Sequence, residues 1–309
     1  MNKEKAGLFS TQSILIALVV SIIYLVISFF LIGFKTDQLV LASIFNFAFF
    51  LSPVARKFII GFSIFIVYWI LFDYMKAFPN YAFNTVRIQE LYDAEKALFG
   101  FSFHGSRITP NEFWLQNGTT WLDIISGIFY LCWIPVPLVF AAYLFFKNKD
   151  LFLQFSLTFV LVNMIGFIIY YVYPAAPPWY YQANGAHFIP GTLGNTAGLH
   201  KFDDYFNIMI FHGLYAKSSN VFAAMPSLHS SYPLIVVYFG IKQKLGWVNI
   251  LFGIIVLGIW FAAVYTSHHY ILDVLAGIAC AIAGMVFFQK VLLHSKHFNK
   301  FLSSYKARI

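Results

Sequence analysis

Residues Ile14 to Phe34 read ILIALVVSIIYLVISFFLIGF and contain no charged residue. A second uncharged run, IISGIFYLCWIPVPLVFAAYLFF, extends from Ile124 to Phe146. Runs of more than about 18 apolar residues are typical of helices that span a bilayer. The whole chain has 309 residues, of which 60% are hydrophobic and 10% charged, whereas soluble proteins carry roughly a quarter charged residues. The sequence therefore predicts an all-α, polytopic helical bundle in a membrane and excludes a soluble two-domain protein.

The hydropathy pattern divides the chain into about eight membrane helices. Two of them, 39–55 and 227–241, are short for a hydrocarbon core of about 30 Å, so we expect them to be tilted, re-entrant or buried in protein. Two long connections, 75–122 and 174–226, are expected to carry function because the other connections are short. The predicted spans are 12–34, 39–55, 57–74, 123–146, 151–173, 227–241, 247–265 and 270–293.

The basic residues indicate how these spans are oriented. If the spans alternate, 13 of the 20 lysine and arginine residues lie on the side that holds both termini and the short turns. Cytoplasmic loops carry an excess of lysine and arginine. The pattern therefore predicts that both termini are cytoplasmic and that the two long connections face the other side of the membrane.

Neither the positive charge nor the cysteines indicate a nucleic-acid or disulfide-rich protein. The formal net charge is +8, but the basic residues form short clusters beside apolar runs, which is typical of topology control. Cys132 and Cys280 lie inside apolar segments without the spacing of a disulfide framework or a zinc site. We expect both cysteines to be packing residues and expect no nucleic-acid partner.

Polar residues concentrate in three segments at the ends of predicted spans, 173–181 (YPAAPPWYY), 224–231 (AMPSLHSS) and 265–274 (YTSHHYILDV). Ionisable residues at membrane depth are functional candidates. The topology places His229 and His269 at the same depth on the same side. Asp273 follows His269 by four residues, a spacing at which helical side chains share a face.

Two imidazoles and one carboxylate suit nucleophilic phosphoryl transfer. The carboxylate fixes the tautomer of an attacking histidine, and the other histidine gives and takes a proton. Two other interpretations stay open. Buried histidines also complete helix caps or hydrogen bonds between helices. A metal site formed by His229, His268, His269 and Asp273 is disfavoured because their spacing matches no zinc motif.

The motifs at residues 226–229 (PSLH) and 269–273 (HYILD) resemble the second and third signature motifs of the type 2 phosphatidic acid phosphatase superfamily. The similarity is closest to its inositol phosphorylceramide synthase branch, the aureobasidin-target enzymes. Three further stretches carry that similarity: residues 173–181 (YPAAPPWYY), 194–206 (GNTAGLHKFDDYF) and 265–277 (YTSHHYILDVLAG).

The resemblance covers about residues 90–290 and implies a six-helix core like that of the lipid phosphatases. We accordingly divide the chain into N-terminal membrane helices at 1–74, a catalytic membrane domain at 75–293 and a basic cytoplasmic tail at 294–309. The first two spans carry no recognisable motif, so their assignment rests on hydropathy.

The chain departs from the wider superfamily at the phosphate-binding residues. The Ser-Arg pair that precedes the last histidine in the common phosphatase pattern is replaced by Ala262 and Ala263, and the first motif is not recognisable. An anionic phosphate needs donors, so we expect a different cradle, although an exposed surface charge is the simpler interpretation for any single cation of the long connections. The missing arginine favours a transferase over an ordinary phosphatase. The candidate donors are Arg87, Arg107, Lys217, Tyr265 and His268.

Three more residues are candidates for substrate contacts. Ser227 belongs to the second motif, and the resemblance implies that Trp179 helps to shape the substrate mouth at headgroup level. Asp123 begins the fourth predicted span, where it is expected to cap the helix. The alternative for Asp123 is a hydrogen bond to a sugar hydroxyl.

The leading hypothesis is a lipid head-group transferase. His269 attacks the phosphorus of a glycerophospholipid donor, Asp273 orients it, and His229 protonates the departing diacylglycerol. A ceramide-like acceptor then attacks the phospho-histidine. The family resemblance points to phosphatidylinositol as the donor. The scheme needs no metal or cofactor, and its site faces the non-cytoplasmic side; whether a partner subunit is needed is not determined by the sequence.

There are two alternative functions, one that keeps this chemistry and one that does without it. A lipid or polyprenyl phosphate phosphatase uses the same residues but lets water take the second step. A non-catalytic transporter uses the histidines to relay protons or bind a ligand. Full function in a His269→Ala variant favours the transporter, because alanine cannot replace a nucleophile.

Overall fold

The computed structural model describes residues 7–216 and 220–309, so the candidate donor Lys217 lies outside the described residues. Helices dominate these ranges, as the sequence predicts. Two short strands, β1 (Phe101–Phe103) and β2 (Ser106–Ile108), form an antiparallel hairpin in the first long connection.

Three helices form the N-terminal part of the bundle: α1 (Thr11–Ile32), α2 (Thr36–Leu51) and α3 (Pro53–Tyr74). Their starts follow ordinary capping chemistry. The Ser10 and Ser52 hydroxyls accept hydrogen bonds from first-turn amides, and Pro53 occupies the first helical position, where its missing N–H costs nothing. Helix α1 packs on α2 and α3 but leaves most of its apolar surface exposed, as expected for a helix that faces lipid.

The first long connection contains two helices, α4 (Gln89–Phe99) and α5 (Pro110–Asn117), on either side of the hairpin. The chain then crosses the bundle as α6 (Thr120–Leu131) and α7 (Pro135–Lys147) and returns as α8 (Lys149–Val172). The predicted span 123–146 is therefore one crossing made of two helices. It breaks after Leu131 because Pro135 and Pro137 lack the N–H groups that a continuous helix requires.

The second long connection contains α9 (Pro178–Asn184), α10 (His200–Phe206) and α11 (Ile210–Tyr215). Four helices follow: α12 (Leu228–Lys242), α13 (Val248–Tyr265), α14 (Ile271–Lys290) and the amphipathic α15 (Lys296–Lys306). Each of the eight predicted spans thus corresponds to helical structure, with ends shifted by a few residues.

Within the described ranges, six helical segments are long and apolar enough to cross a membrane, two fewer than the eight predicted spans. The other two spans are helices of 16 and 15 residues, α2 and α12. Helix α12 is largely enclosed by α8, α13 and α14, so protein rather than lipid surrounds it. The six segments are Thr11–Ile32, Pro53–Ala77, Thr120–Lys147, Lys149–Val172, Val248–Tyr265 and Ile271–His294.

The two ends of the bundle have different contents. At one end, called here the loop end, a backbone bridge from Arg87 to Ala175 joins the two long connections, and a bridge from Ala175 to Ala223 closes the second connection on itself. At the opposite end, called here the turn end, side chains join the short turns. Lys242 donates there to Gln154 and Gln289 at 2.9 and 2.7 Å.

Candidate active site

The structure brings His229 and His269 together at the loop end. His229 lies in the first turn of α12, and His269 lies in the turn between α13 and α14. The Nδ1 atom of His229 is 3.2 Å from the Nε2 atom of His269. Two ring nitrogens at this distance share one proton through a hydrogen bond, so one imidazole can act as a base toward the other.

Asp273 lies behind His269 in the first turn of α14. Its Oδ2 atom is 3.5 Å from His269 Nδ1 and accepts a hydrogen bond of 2.8 Å from the Tyr270 amide. The carboxylate is fully buried. The histidine contact is longer than an ordinary hydrogen bond, and catalytic contacts of this kind commonly tighten when substrate binds.

A close backbone crossing holds the two motifs in register. The Ser227 amide donates to the Asp273 carbonyl at 2.9 Å, and the Ser231 hydroxyl donates to the Gly277 carbonyl at 2.7 Å. A Cβ atom on Gly277 would lie 2.0 Å from the Ser227 carbonyl oxygen, so this position requires glycine. The Ser227 side chain is buried and accepts a hydrogen bond from Ser230, which makes it part of this crossing.

The His269 imidazole is buried in the turn before α14, and burial lowers its pKa to about 4. Removing a charged imidazolium from water is costly, so the neutral ring is favoured. At neutral pH the ring therefore carries one proton, and the nitrogen without it has a free lone pair. A neutral imidazole with a carboxylate at Nδ1 is a form that can act as a nucleophile through Nε2.

His268 also lines this site. Its Nδ1 atom lies 2.9 Å from the Thr266 hydroxyl, and its ring packs against Tyr130 and Tyr215. Burial lowers the pKa of His268 well below its usual value, so the ring is neutral. Its Nε2 atom is buried without a hydrogen-bond partner among the described residues, which leaves it available to a ligand.

The break between α6 and α7 supplies two aromatic residues that the sequence analysis did not select. The Tyr130 hydroxyl lies 3.1 Å from His229 Nδ1 and 3.4 Å from the Tyr215 hydroxyl. The Trp133 ring packs edge-on against His229 with centroids 4.4 Å apart. Both belong to an uncharged run, so composition gave no signal for them, although the nearby prolines mark the break.

Asp123, Tyr265 and Lys201 form a polar cluster beside α6. The Tyr265 hydroxyl donates to Asp123 at 2.7 Å, and Lys201 Nζ lies 3.6 Å from the same carboxylate oxygen. The expectation that Asp123 caps its helix is wrong, because Thr119 supplies the side-chain cap by accepting from the Leu122 amide. Asp123 is therefore free to hold Tyr265 and Lys201.

The remaining candidates have local partners. Arg107 donates to the carbonyls of Lys96 and Ala97, so its guanidinium covers the C-terminal end of α4 rather than contacting the histidines. Arg87 pairs with Glu90 on an exposed surface. Trp179 is half-buried, and its amide donates to the Ser267 carbonyl, which ties α9 to the histidine turn.

No group of three or more His, Cys, Asp and Glu side chains in residues 7–216 and 220–309 has the geometry to hold a metal ion. The four residues of the alternative metal site do not converge on one point. Their arrangement is a histidine pair with a carboxylate behind one ring, which suits proton and phosphoryl transfer.

Comparison with known proteins identifies the family. Residues 96–287 match the PAP2 superfamily. The chain belongs to this superfamily. The resemblance to the type 2 phosphatidic acid phosphatases is thereby confirmed, and it places His229, His269 and Asp273 within the matched residues.

Named relatives support the synthase branch of this PAP2 superfamily. The chain is 40% identical over 298 residues to a phosphoinositol dihydroceramide synthase of Bacteroides thetaiotaomicron, covering 96% of this chain and 98% of that protein. It is 26% identical over 257 residues to the inositol phosphorylceramide synthase catalytic subunit aur1 of Schizosaccharomyces pombe, covering 81% and 58%. The Saccharomyces cerevisiae catalytic subunit is 27% identical over 250 residues, covering 78% and 58%. No solved structure matches the chain significantly.

Proposed function

We propose that this chain is a multi-pass membrane phosphotransferase that moves a phosphoinositol head group from a glycerophospholipid to a ceramide-like acceptor. The observation that carries the proposal is the His229 and His269 pair at 3.2 Å, with Asp273 behind it. The near full-length similarity to a phosphoinositol dihydroceramide synthase supports the choice of donor and acceptor.

The first step removes diacylglycerol from the donor. His269 Nε2 attacks the phosphorus, and a nitrogen–phosphorus bond forms as the bond from phosphorus to the glyceryl oxygen breaks. His229, which enters this step as the imidazolium, gives one proton to that oxygen and becomes neutral, so neutral diacylglycerol leaves. The Asp273 carboxylate stabilises the positive charge that develops on the His269 ring.

The second step places the head group on the acceptor. The primary hydroxyl of the ceramide-like lipid attacks the phosphorus while His229 takes its proton. The nitrogen–phosphorus bond breaks, and His269 returns to its neutral form. His229 then carries the proton needed for the next donor, so each turnover restores the starting state.

Burial favours transfer over hydrolysis in this scheme. His269 and His268 are 6% and 4% exposed, and Asp273 and Tyr130 are fully buried. A site that excludes bulk water protects a reactive intermediate and holds two membrane-borne substrates close together. Because the superfamily arginine is absent, the buried His268, whose Nε2 has no hydrogen-bond partner in the described residues, is a candidate phosphate contact when the ring adopts the tautomer that carries its proton on Nε2.

The cluster of Asp123, Tyr265 and Lys201 is proposed to contact the polar head group. A carboxylate, a phenol and an ammonium group together offer acceptors and donors for a polyol and its phosphate. Trp179 and Arg107, two of the candidates from the sequence, are proposed to stabilise the conformation of the loops around the site rather than to contact the substrate. Ser227 is proposed to position the His229 motif.

The placement in the membrane is part of the proposal. The catalytic machinery occupies residues 75–293, and the loop end faces the non-cytoplasmic side with both termini cytoplasmic. The supporting observation is the distribution of charge: the turn end and the C-terminal residues carry clustered lysines such as Lys242 and Lys306.

The deciding experiment uses purified protein in vesicles with a fluorescent dihydroceramide. Phosphatidylinositol, phosphatidylethanolamine, phosphatidylcholine and phosphatidylglycerol are offered as separate donors. We expect a new ceramide phosphodiester with phosphatidylinositol, lost in His269→Ala and reduced to a small residual rate in Asp273→Asn. His297→Ala, which removes an exposed imidazole of α15, is the matched control and is expected to retain full activity.

The same vesicle assay, with phosphatidic acid added as a monoester donor, tests the phosphatase alternative, which the PAP2 membership keeps relevant. Release of inorganic phosphate from a lipid monoester, independent of ceramide and without a ceramide phosphodiester, would establish hydrolysis and overturn the transferase proposal. Dependence on His269 is expected in both cases, so the product distinguishes them.

A further inference from the structure

Glu95 is a buried carboxylate that the mechanism above does not use. It lies on α4, in the first long connection, and is fully buried. Its Oε1 atom accepts a hydrogen bond of 3.0 Å from the Ile271 amide, and its Oε2 atom accepts one of 3.1 Å from the Leu272 amide. These two amides begin α14, the helix that carries Asp273.

The first amides of a helix have no partner within the helix and need acceptors from elsewhere. Asp273 supplies one by accepting from the Tyr270 amide at 2.8 Å. Glu95 supplies the next two. Two buried carboxylates from segments more than 170 residues apart therefore cover three consecutive amides at the start of α14.

Asp273 has two competing uses at this position. One oxygen already accepts from Tyr270 and also faces His269 Nδ1 at 3.5 Å. Without Glu95, the amides of Ile271 and Leu272 would be buried without acceptors, and Asp273 is the carboxylate beside them on the same helix turn. A rotation toward those amides would move it away from His269.

We propose that Glu95 is a positioning residue that occupies the Ile271 and Leu272 amides and so keeps the Asp273 carboxylate directed at His269. The inference rests on the proposed function in that it concerns the same site. Glu95 lies just before the residues that match the PAP2 superfamily, so the family motifs do not assign it.

The ionisation of Glu95 gives this role a pH dependence. Burial raises the pKa of Glu95 to about 7, the two amides oppose that shift, and the charge of Asp273 adds to it. Protonation of Glu95 places a hydrogen on one carboxyl oxygen. That oxygen then no longer accepts well from the Ile271 or Leu272 amide that it faces. Activity is therefore expected to fall as the pH drops through about 7. The Tyr270 phenol also interacts with this carboxylate, and Asp273, Tyr92 and Glu112 act on the same phenol.

The test is a double-mutant cycle on kcat with Glu95→Gln, Asp273→Asn and the double variant in the vesicle assay. Glutamine keeps the size of the side chain but offers one acceptor oxygen. We expect Glu95→Gln to lower kcat by about tenfold to a hundredfold, the scale of a small misplacement, with KM for the donor changed less than about twofold. Added to Asp273→Asn, it should lower kcat by less than about threefold, because both act through the same carboxylate.

Glu90→Gln is the matched control, since Glu90 lies on the same helix but pairs with Arg87 on the surface. It should leave kcat and the pH profile unchanged. Glu95→Gln should lose the wild-type fall in activity near pH 7. If Glu95→Gln does not give folded protein, Glu95→Asp, which retains the charge on a shorter side chain, takes its place in the cycle.

Unchanged kcat in the Glu95 variant overturns the positioning role. So does a double variant whose fold-loss in kcat equals the product of the fold-losses in the two single variants. The outcome is separate from that of the proposed function. If the wild type hydrolyses lipid rather than making a ceramide phosphodiester, the transferase proposal fails, and the same cycle is read on the His269-dependent hydrolysis.

Discussion

Polar side chains occur both in the N-terminal helices and at the loop end, but their hydrogen bonding differs. In α1, α2 and α3 they pair with each other: Ser28 bonds the Tyr74 hydroxyl at 2.8 Å, and Asn46 donates to Ser21 at 2.7 Å. At the loop end, His268, His269 and Asp273 each have a buried side-chain atom without a hydrogen-bond partner. These three are the ionisable residues with such atoms in the part of the chain that the structure describes.

The difference shows how to distinguish structural from functional polar residues in an apolar chain. A satisfied pair between helices contributes modest stability and needs no further explanation. Unpaired ionisable atoms are costly to bury, so their concentration within residues 268–273 distinguishes the loop end from the N-terminal helices. The N-terminal pairs therefore fit a scaffold, and the loop end is where we propose that the reaction takes place.

The largest effect is expected for His229→Ala. Removing this ring eliminates the group that gives and takes the proton in both steps, which is typically worth about a hundredfold to ten-thousandfold. We expect kcat for ceramide phosphodiester formation to fall within that range, with the unfolding temperature close to that of the wild type. The measurement is a time course of the fluorescent product in vesicles.

His294→Ala provides the control for His229→Ala, because His294 lies at the turn end, far from the proposed chemistry. A His229→Ala enzyme with more than half of the wild-type kcat would contradict the proton-transfer role of His229. The loop end could then not be distinguished from the N-terminal helices by function.

The sequence was sufficient for the elements and for the histidine pair because both depend on local patterns. Apolar runs located the helices, and the spacing of His269 and Asp273 predicted that they share a face. The structure refines that spacing, since His269 precedes the first residue of α14, Ile271. The two side chains meet across the start of the helix rather than within it.

Other features depend on tertiary contacts that no local pattern contains. Tyr130 lies in an uncharged run and gains its role from the break before Pro135, which the sequence analysis treated as a continuous span. Glu95 contacts a helix more than 170 residues away. Arg107 was a reasonable phosphate ligand by charge, but the nearby carbonyls of α4 take its donors.

A smaller effect is expected for Tyr130→Phe. The variant keeps the ring that packs against His229 but removes the hydroxyl at 3.1 Å from His229 Nδ1. A hydrogen bond to a group that changes charge is worth about 1.5 kcal/mol or more, which corresponds to roughly tenfold in rate. We expect kcat to fall by about tenfold at constant KM, measured with phosphatidylinositol as donor.

Tyr143→Phe tests whether the Tyr130 effect is specific. Tyr143 lies on α7 of the same crossing and stacks on Phe140. It should retain wild-type kcat. Equal losses of kcat in the two variants would show that any tyrosine hydroxyl of this crossing affects the enzyme through packing. The hydroxyl beside His229 would then have no specific role.

The smallest effect is expected for Asn46→Ala in α2. Asn46 donates to the Ser21 hydroxyl and to the Ala42 carbonyl, both at 2.7 Å. A hydrogen bond between membrane helices contributes about 0.6 kcal/mol on average, so the unfolding free energy should fall by about 0.5 to 1.5 kcal/mol. Because α2 packs mainly on α1 and α3, away from the histidine pair, kcat and KM should stay within about twofold of wild type.

Stability and activity are measured on the same Asn46→Ala preparation, by thermal unfolding in detergent and by the vesicle assay. Ser21→Ala removes the other member of the pair, so it should give a similar loss of stability and no further loss when combined with Asn46→Ala. A large fall in kcat with unchanged stability would mean that the N-terminal helices take part in catalysis. The hydrogen bonding of polar side chains would then no longer separate the scaffold from the site.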